Sequence, residues 1–490
     1  MTNVLLILLD DIGNEQLQKY ARGGNTALGY AYPSTPTINA LSDGGTVQGV
    51  TYTGGVRFER AYVEQLCSPT RATLLTGRHP FRHGVGDIIR DDNDSLSTQA
   101  ALPESEYTLA KLLKANGYAT ACFGKWHMGN STVGGRLSPN RAGFDYYAGN
   151  LFNSQSNVFT VNGASVREGH YATDLTVQGE HRIELVYRPT SYVNNALRWI
   201  NEQRGPWFCY LPFYAVHSVF WNDTAAPAVV NIPPASMYNT GLWNLANIPV
   251  ATTDPEFLHA LKAGIEAVDV EIGRLLAGIA ALSNTLVVFA TDNGTGSTLV
   301  AIEQHPTLGL YTAAHGKDTP YEPAICTPLI VSGPGVVAGP RTCSALVHAV
   351  DIYPTIAAMA GITMPSGITF DGVSLKPILD NTVPALVPHA TVYSEWFAPT
   401  GVAPTATNPD NGRTGTEWSM QNGTYKLVQN SSGFPNFVPQ PLELYIVGPT
   451  ASYNPMEQNN LSPGGVAPTN PTHLANWNSL RAARTALVEP

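Results

Sequence analysis

The sequence predicts an α/β fold: a large mixed, mostly parallel sheet flanked by helices, with a smaller C-terminal α+β domain. Three observations carry that expectation. Short apolar runs alternate with stretches of helical spacing along most of the chain. Four of those runs end in conspicuous polar residues, and in open α/β sheets ligands bind beyond the carboxyl ends of the strands. The 490 residues are enough for one large core plus a smaller one, and the chain changes character near residue 380. Domains are therefore expected at 1–380 and 381–490.

Taken in order, Val4 to Leu9 leads into Asp10-Asp11. A helical stretch from Thr108 to Asn116 precedes Ala119 to Phe123, which leads into Gly124-Lys125-Trp126-His127. Helical spacing over Tyr192 to Gln203 precedes Trp207 to Phe213 and then His217. A long helix is expected over Glu256 to Leu282, before Leu286 to Ala290 and the polar Thr291-Asp292-Asn293-Gly294. Leu329-Ile330-Val331 is closed by a Ser-Gly-Pro-Gly turn, and Ile352 to Ala360 has helical spacing. Pro399 to Asn411, rich in Pro, Thr and Asn, reads as a long surface loop ahead of short strands and a terminal helix over Leu474 to Leu487.

Composition narrows the function classes. Hydrophobic residues make up 43%, and no apolar run approaches the ~20 residues needed to span a bilayer. The net charge of −10, with only 13% charged residues, argues against a broad basic surface for nucleic acid. Neither nucleic acid nor a membrane is expected as a partner. The start, Met1-Thr2-Asn3 followed directly by the apolar run, lacks the pattern of a signal peptide. That points to the cytoplasm, or to a periplasmic or secreted protein whose leader has been removed. Five scattered cysteines are too few for a disulfide framework: Cys122 and Cys209 read as core residues, while Cys326 and Cys343 could pair in an oxidising compartment and read as free thiols in the cytosol.

The most informative stretch is Cys67-Ser68-Pro69-Thr70-Arg71, continuing to Leu74-Leu75-Thr76-Gly77-Arg78. Pro69 suits a first helical turn, where its missing N–H would have no partner. Cys67 then stands at the positive end of a helix, and Arg71 adds a fork of donors suited to an oxyanion. The sequence thus predicts an anion site. Asp10, Asp11, Asp292 and the Asn293 amide form an all-oxygen set that suits a hard divalent cation, and adjacent carboxylates at a buried sheet end would repel one another without one. No Cys or His cluster has zinc spacing.

Position for position, the run from Cys67 to Arg78 resembles the C-x-P-x-R-x-x-x-L-T-G-R motif of the type I sulfatases, in the alkaline phosphatase superfamily. Gly124-Lys125-Trp126-His127 resembles a second motif of that family. Further similarities lie at Gly143-Phe144-Asp145, Val350 to Thr355, Asp371 to Leu375 and, more weakly, Glu443-Leu444-Tyr445. Lys317 sits in a segment similar to the family's G-K-x-x-x-x-E-G-G, with Pro323-Ala324 in place of the two glycines. His217 is followed by Ser218-Val219-Phe220 where the family commonly has a proline.

The resemblance implies a sulfuric ester hydrolase in which a maturation enzyme converts Cys67 to formylglycine. Asp10, Asp11, residue 67, Asp292 and Asn293 would bind one divalent cation, Ca2+ ahead of Mg2+. One hydroxyl of the hydrated aldehyde would attack sulfur with Asp292 as base. Arg71, Lys125 and Lys317 would offset the charge on the sulfuryl oxygens, and His217, with Lys317, would protonate the leaving alcohol. His127 would deprotonate the second hydroxyl to expel sulfate. The substrate is expected to be a small aryl or alkyl sulfate, because segment 205–255 has no Arg or Lys but holds Phe220, Trp221, Tyr238 and Trp243, with Phe152 and Phe159 nearby. The runner-up is a phosphonate or phosphate diester hydrolase of the same superfamily. A catalytically silent binding protein is disfavoured by the intact Cys67, acidic residues and lysines.

Overall fold

The computed structural model describes residues 1–20, 31–89, 101–153, 158–217, 231–243, 245, 254–300, 304–305, 309–310, 315–399, 413–431, 439–448, 457 and 459–488. At its centre the strand Asn3–Leu9 is buried along its whole length. It pairs in parallel with Trp207–Pro212 on one side and Thr285–Thr291 on the other. Ala119–Lys125 and Tyr146–Asn150 extend the parallel region outward. On the opposite flank Cys326–Ser332 runs antiparallel to Thr285–Thr291, and Gly55–Tyr62 reverses again. Gly55–Tyr62 therefore points the same way as the central strands. The sheet has eleven strands in all, and those at its edges beyond Tyr146–Asn150 are antiparallel.

Alternation along the central strand builds both faces. Leu5, Ile7 and Leu9 pack with residues of the helices Arg188–Glu202 and Asp254–Gly278. Val4, Leu6 and Leu8 pack on the other face with Cys67–Thr76, Leu109–Ala115 and Ile352–Met359. Such two-sided covering requires apolar side chains on both faces of each central strand, which is why the runs are legible in the sequence. Cys122 and Cys209, on neighbouring strands, fall on opposite faces and are core residues as expected. None of the five cysteines is joined in a disulfide.

The C-terminal part is a second, antiparallel sheet of Val392–Pro399, Arg413–Gln421, Tyr425–Gln429 and Glu443–Ile446. The helix Pro471–Val488 covers it through Trp477 and Leu480, which pack with Trp418, Met420 and Leu427. The loop expected over Pro399 to Asn411 lies outside the described residues apart from Pro399, which ends a strand. No helix among the described residues is long and apolar enough to cross a membrane.

Candidate active site

Four parallel-running strands deliver side chains to one end of the sheet. Asp10 and Asp11 follow the central strand, Asp292 and Asn293 follow Thr285–Thr291, and Lys125 ends its own strand. Tyr62 ends the strand that leads, through Val63 to Leu66, to the helix opening at Cys67. The ends are stitched together by backbone bonds: Phe213 N–H to Leu8 O at 2.8 Å, Val216 N–H to Asp10 O at 3.2 Å and Asp292 N–H to Leu9 O at 3.0 Å. Asp11 and His127 both adopt left-handed backbone, with φ of 60° and 58°. Non-glycine residues held there mark positions where the surroundings dictate the conformation.

Cys67 begins its helix with no side-chain cap in front of it, so the first-turn N–H groups remain available to an anion. It is fully buried, 3.2 Å from Lys317 Nζ and 3.7 Å from Asp10 Oδ1. Burial pushes the thiol up to about 12 despite the two nearby lysines. An unmodified cysteine there stays a thiol at neutral pH, and the thiolate is the nucleophilic form.

Three carboxylates and three cations interlock around it. Arg71 donates from Nε and Nη2 to Asp292 Oδ2 at 3.0 and 2.7 Å, from Nη2 to Asp10 Oδ2 at 3.1 Å and from Nη1 to Lys125 O at 2.7 Å. Lys125 reaches Asp10 Oδ2 and Lys317 reaches Asp11 Oδ1, each at 2.5 Å. Asn293 Nδ2 donates to Asp11 Oδ1 at 2.7 Å. This corrects two expectations. Repulsion among the carboxylates is offset by protein cations even before a metal is considered. The Arg71 fork, expected to face an incoming oxyanion, is instead spent largely on Asp10 and Asp292.

Asp10, Asp11, Cys67 and Asp292 nevertheless each offer a ligand atom within 4.8 Å of the others, and Asn293 Oδ1 is buried with no hydrogen-bond partner. An orphaned amide oxygen beside three carboxylates fits a hard divalent cation. With the carboxylates and the three protein cations balanced, such an ion leaves the pocket net positive, which suits an anionic ester.

Electrostatics differ sharply from group to group. Burial alone would raise Asp10, but Lys125, Arg71 and Lys317 together hold it below the ordinary carboxylate value. Burial and the charge of Asp10 push Asp292 up to about 6. His127 is pulled well below the usual imidazole value by burial and then by Lys125 and Arg71, and both its ring nitrogens are buried without a hydrogen-bond partner. His217 is likewise lowered, burial and Lys125 outweighing Asp11, whose Oδ2 is 3.9 Å from its Nε2. Both imidazoles are neutral bases in this state.

All the residues expected at the site are thus brought to one place, and neighbours that sequence reasoning missed come with them. Asn153 Nδ2 lies 3.0 Å from His217 Nε2, the Tyr214 ring lies 5.5 Å from Lys125 Nζ, and Thr295 binds both Gly13 N–H and Lys317 N–H. Asn153 lies just past the end of Tyr146–Asn150, so the strand-end rule could have found it; the other two carry no signal of their own. Among the aromatics expected around the pocket, Phe220 and Trp221 lie outside the described residues. Trp243 is a packing residue, 1% exposed and donating from its indole to Glu266 at 2.9 Å. Tyr238 and Phe152 also pack against the two sheet cores.

A family model described as Sulfatase matches residues 2–362, and one described as N-sulphoglucosamine sulphohydrolase, C-terminal, matches 313–429. Arylsulfatase A of Bos taurus is 29% identical over 396 residues, covering 78% of this chain and 68% of its own. Among solved structures, Ps i-CgsB in complex with k-i-k-neocarrahexaose superposes with a TM-score of 0.68 at 22% identity, over 100% of this chain and 94% of its own. BT4656 in complex with its substrate D-glucosamine-2-N,6-O-disulfate gives 0.66 at 19% identity, over 99% and 97%.

Proposed function

The chain belongs to the sulfatase family and is a sulfuric ester hydrolase; from that premise we propose that residue 67 acts as formylglycine, beside a divalent cation held by Asp10, Asp11, residue 67, Asp292 and Asn293. The observation that carries this reading is the buried Cys67, whose thiol is pushed up to about 12, between Lys317 and the acidic cluster. A hydrated aldehyde supplies two hydroxyls, one to accept the sulfuryl group and a second to release it, and a cation lowers the cost of the negative charge involved.

The chain's own residues do the rest. Lys125 and Lys317 are ammonium ions aimed at the pocket and offset charge on the sulfuryl oxygens. Arg71 holds Asp10 and Asp292 in place and contributes positive charge from behind them. Asp292, raised toward neutrality, is suited to take the first hydroxyl proton. His217, steadied by Asn153 and beside Lys317, passes a proton to the leaving alcohol once an anionic ester has raised its affinity for one. His127, neutral and unpartnered, takes the proton of the second hydroxyl.

We assign Ca2+ rather than Mg2+, because a crowded set of protein oxygens suits the larger cation. The substrate we propose is an aryl or medium-chain alkyl sulfate, supported by the absence of Arg and Lys from segment 205–255. The phosphonate or phosphate diester reading has no support in these relatives. One experiment tests the assignment: matured protein is assayed on sulfate, phosphate and phosphonate esters, with mass spectrometry of the peptide containing residue 67. Sulfate esters should be preferred, with aryl and alkyl sulfates showing higher kcat/KM than sulfated mono- or disaccharides. Cys67→Ala should lose about 10³-fold or more. Full turnover by Cys67→Ala, or by unmodified thiol protein, would overturn the mechanism, and preference for a charged sugar would overturn the substrate class.

A further inference from the structure

Around the helix that carries residue 67, a second group of donors faces a common point. Glu64 lies three residues before Cys67, His79 three residues after the helix Cys67–Thr76, and His348 at the start of the turn that leads into Ile352–Met359. Their relative exposures are 0%, 6% and 2%. Glu64 Oε1 is 3.6 Å from His79 Nδ1 and 3.7 Å from His348 Nε2, and the three atoms lie within 4.8 Å of one another. Both of those ring nitrogens are buried without a hydrogen-bond partner.

Separations of 3.6 and 3.7 Å are long for hydrogen bonds. They are close to the edges of a coordination tetrahedron with bonds of about 2.0–2.2 Å. Two imidazole nitrogens and one carboxylate oxygen form the borderline-soft set that selects zinc over the hard cation of the all-oxygen cluster. The carboxylate is already oriented: Glu64 Oε2 accepts from Glu395 N–H at 2.9 Å and Oε1 from the Thr73 hydroxyl at 3.3 Å. The Val350 amide approaches His348 Nδ1 at 3.4 Å, a contact that ligation through Nε2 gives up when the ring proton moves to Nδ1.

We propose that Glu64, His79 and His348 form a second metal site, binding one structural Zn2+ with a fourth position left to water or the Thr73 hydroxyl. It joins the segments entering and leaving the helix that carries residue 67 to the start of a third. No zinc spacing is visible in the sequence because His348 is 284 residues from Glu64, and only the sheet brings them together.

The test uses the full chain in excess Ca2+, which occupies the all-oxygen cluster, and titrates with Co2+ as a spectroscopic stand-in for zinc. One equivalent should develop the visible bands of four-coordinate cobalt, one equivalent of Zn2+ should erase them, and Zn2+ should raise Tm by roughly 2–4 °C. His79→Gln and His348→Gln should lose the bands and the shift. Should either fail to fold, Glu64→Gln, which keeps the acceptor for Glu395 N–H, gives the same reading. Absence of cobalt uptake under saturating Ca2+, or bands retained in the folded variants, would overturn the site.

Discussion

At Asp292 the site makes two opposing demands of one carboxylate. Arg71 favours its ionised form, while burial and neighbouring Asp10 oppose it, and the opposing pair prevails at about 6. A carboxyl raised in the folded state makes the cation-free fold lose stability as pH rises from about 4 to 6, because the unfolded chain releases that proton first. A bound cation requires the ionised form and reverses that loss. Ca2+ affinity measured by calorimetry should therefore be about fourfold weaker near pH 5.5 than near pH 7.5, with proton release on binding at the lower pH. Asp292→Asn should bind weakly and show no such dependence; an unchanged dependence would assign the proton elsewhere. The residues of this cluster were legible because they stand in contiguous motifs or at strand ends. Tyr214, Thr295 and the Glu64-His79-His348 cluster were not, since only tertiary contact gives those residue types a role.

Elements carry the geometry that motifs cannot. Gly124 has φ of +133°, and a Cβ there would stand 2.0 Å from Pro212 O on the neighbouring parallel strand. The next residue is Lys125, so the close strand approach sets where its ammonium meets Asp10. Gly124→Ala should cost about 2–3 kcal/mol through forced strand separation and unfavourable backbone. Thermal unfolding should report that loss, and kcat should fall because Lys125 moves with the strand; wild-type kcat in the folded variant would show that the spacing is not needed. The central strands could be read because they are apolar on both faces. Gly55–Tyr62 could not, since Arg57, Glu59 and Arg60 interrupt it, yet it leads to the helix that opens at Cys67. Its Arg60 is 4% exposed and donates to Gly423 O at 2.9 Å, a partner hundreds of residues away. Strand direction was equally hidden: Leu329 to Val331 announced a strand, but nothing local made it antiparallel.

Across the whole molecule, the C-terminal sheet is tied to the catalytic sheet through a buried polar box. Lys426 Nζ sits 3.1 Å from Glu322 Oε1 and 2.9 Å from Glu457 Oε1, all with side chains fully buried. Glu322 also accepts from Tyr62 OH at 3.1 Å and Gln421 Nε2 at 3.0 Å, while its N–H donates to Glu457 at 2.8 Å. Glu322 is five residues beyond Lys317, so the box anchors the segment that presents a site ammonium. The division we propose near residue 380, from the change in chain character, is therefore crossed by buried polar contacts. Burial pushes Glu457 up to about 7 even with Lys426 beside it. Lys426→Met removes the one cation shared by both carboxylates and should cost about 3–5 kcal/mol, the penalty for stranding a buried charge. Because Glu457, already raised by burial, is harder still to ionise without Lys426, the deficit should widen as pH rises from about 5 to 8, where the unfolded chain ionises it freely. Thermal unfolding of both proteins across that range measures the deficit, and kcat at low temperature measures the effect on Lys317. An equal midpoint at every pH would mean that the Lys426 ion pairs contribute nothing to holding the two sheets together.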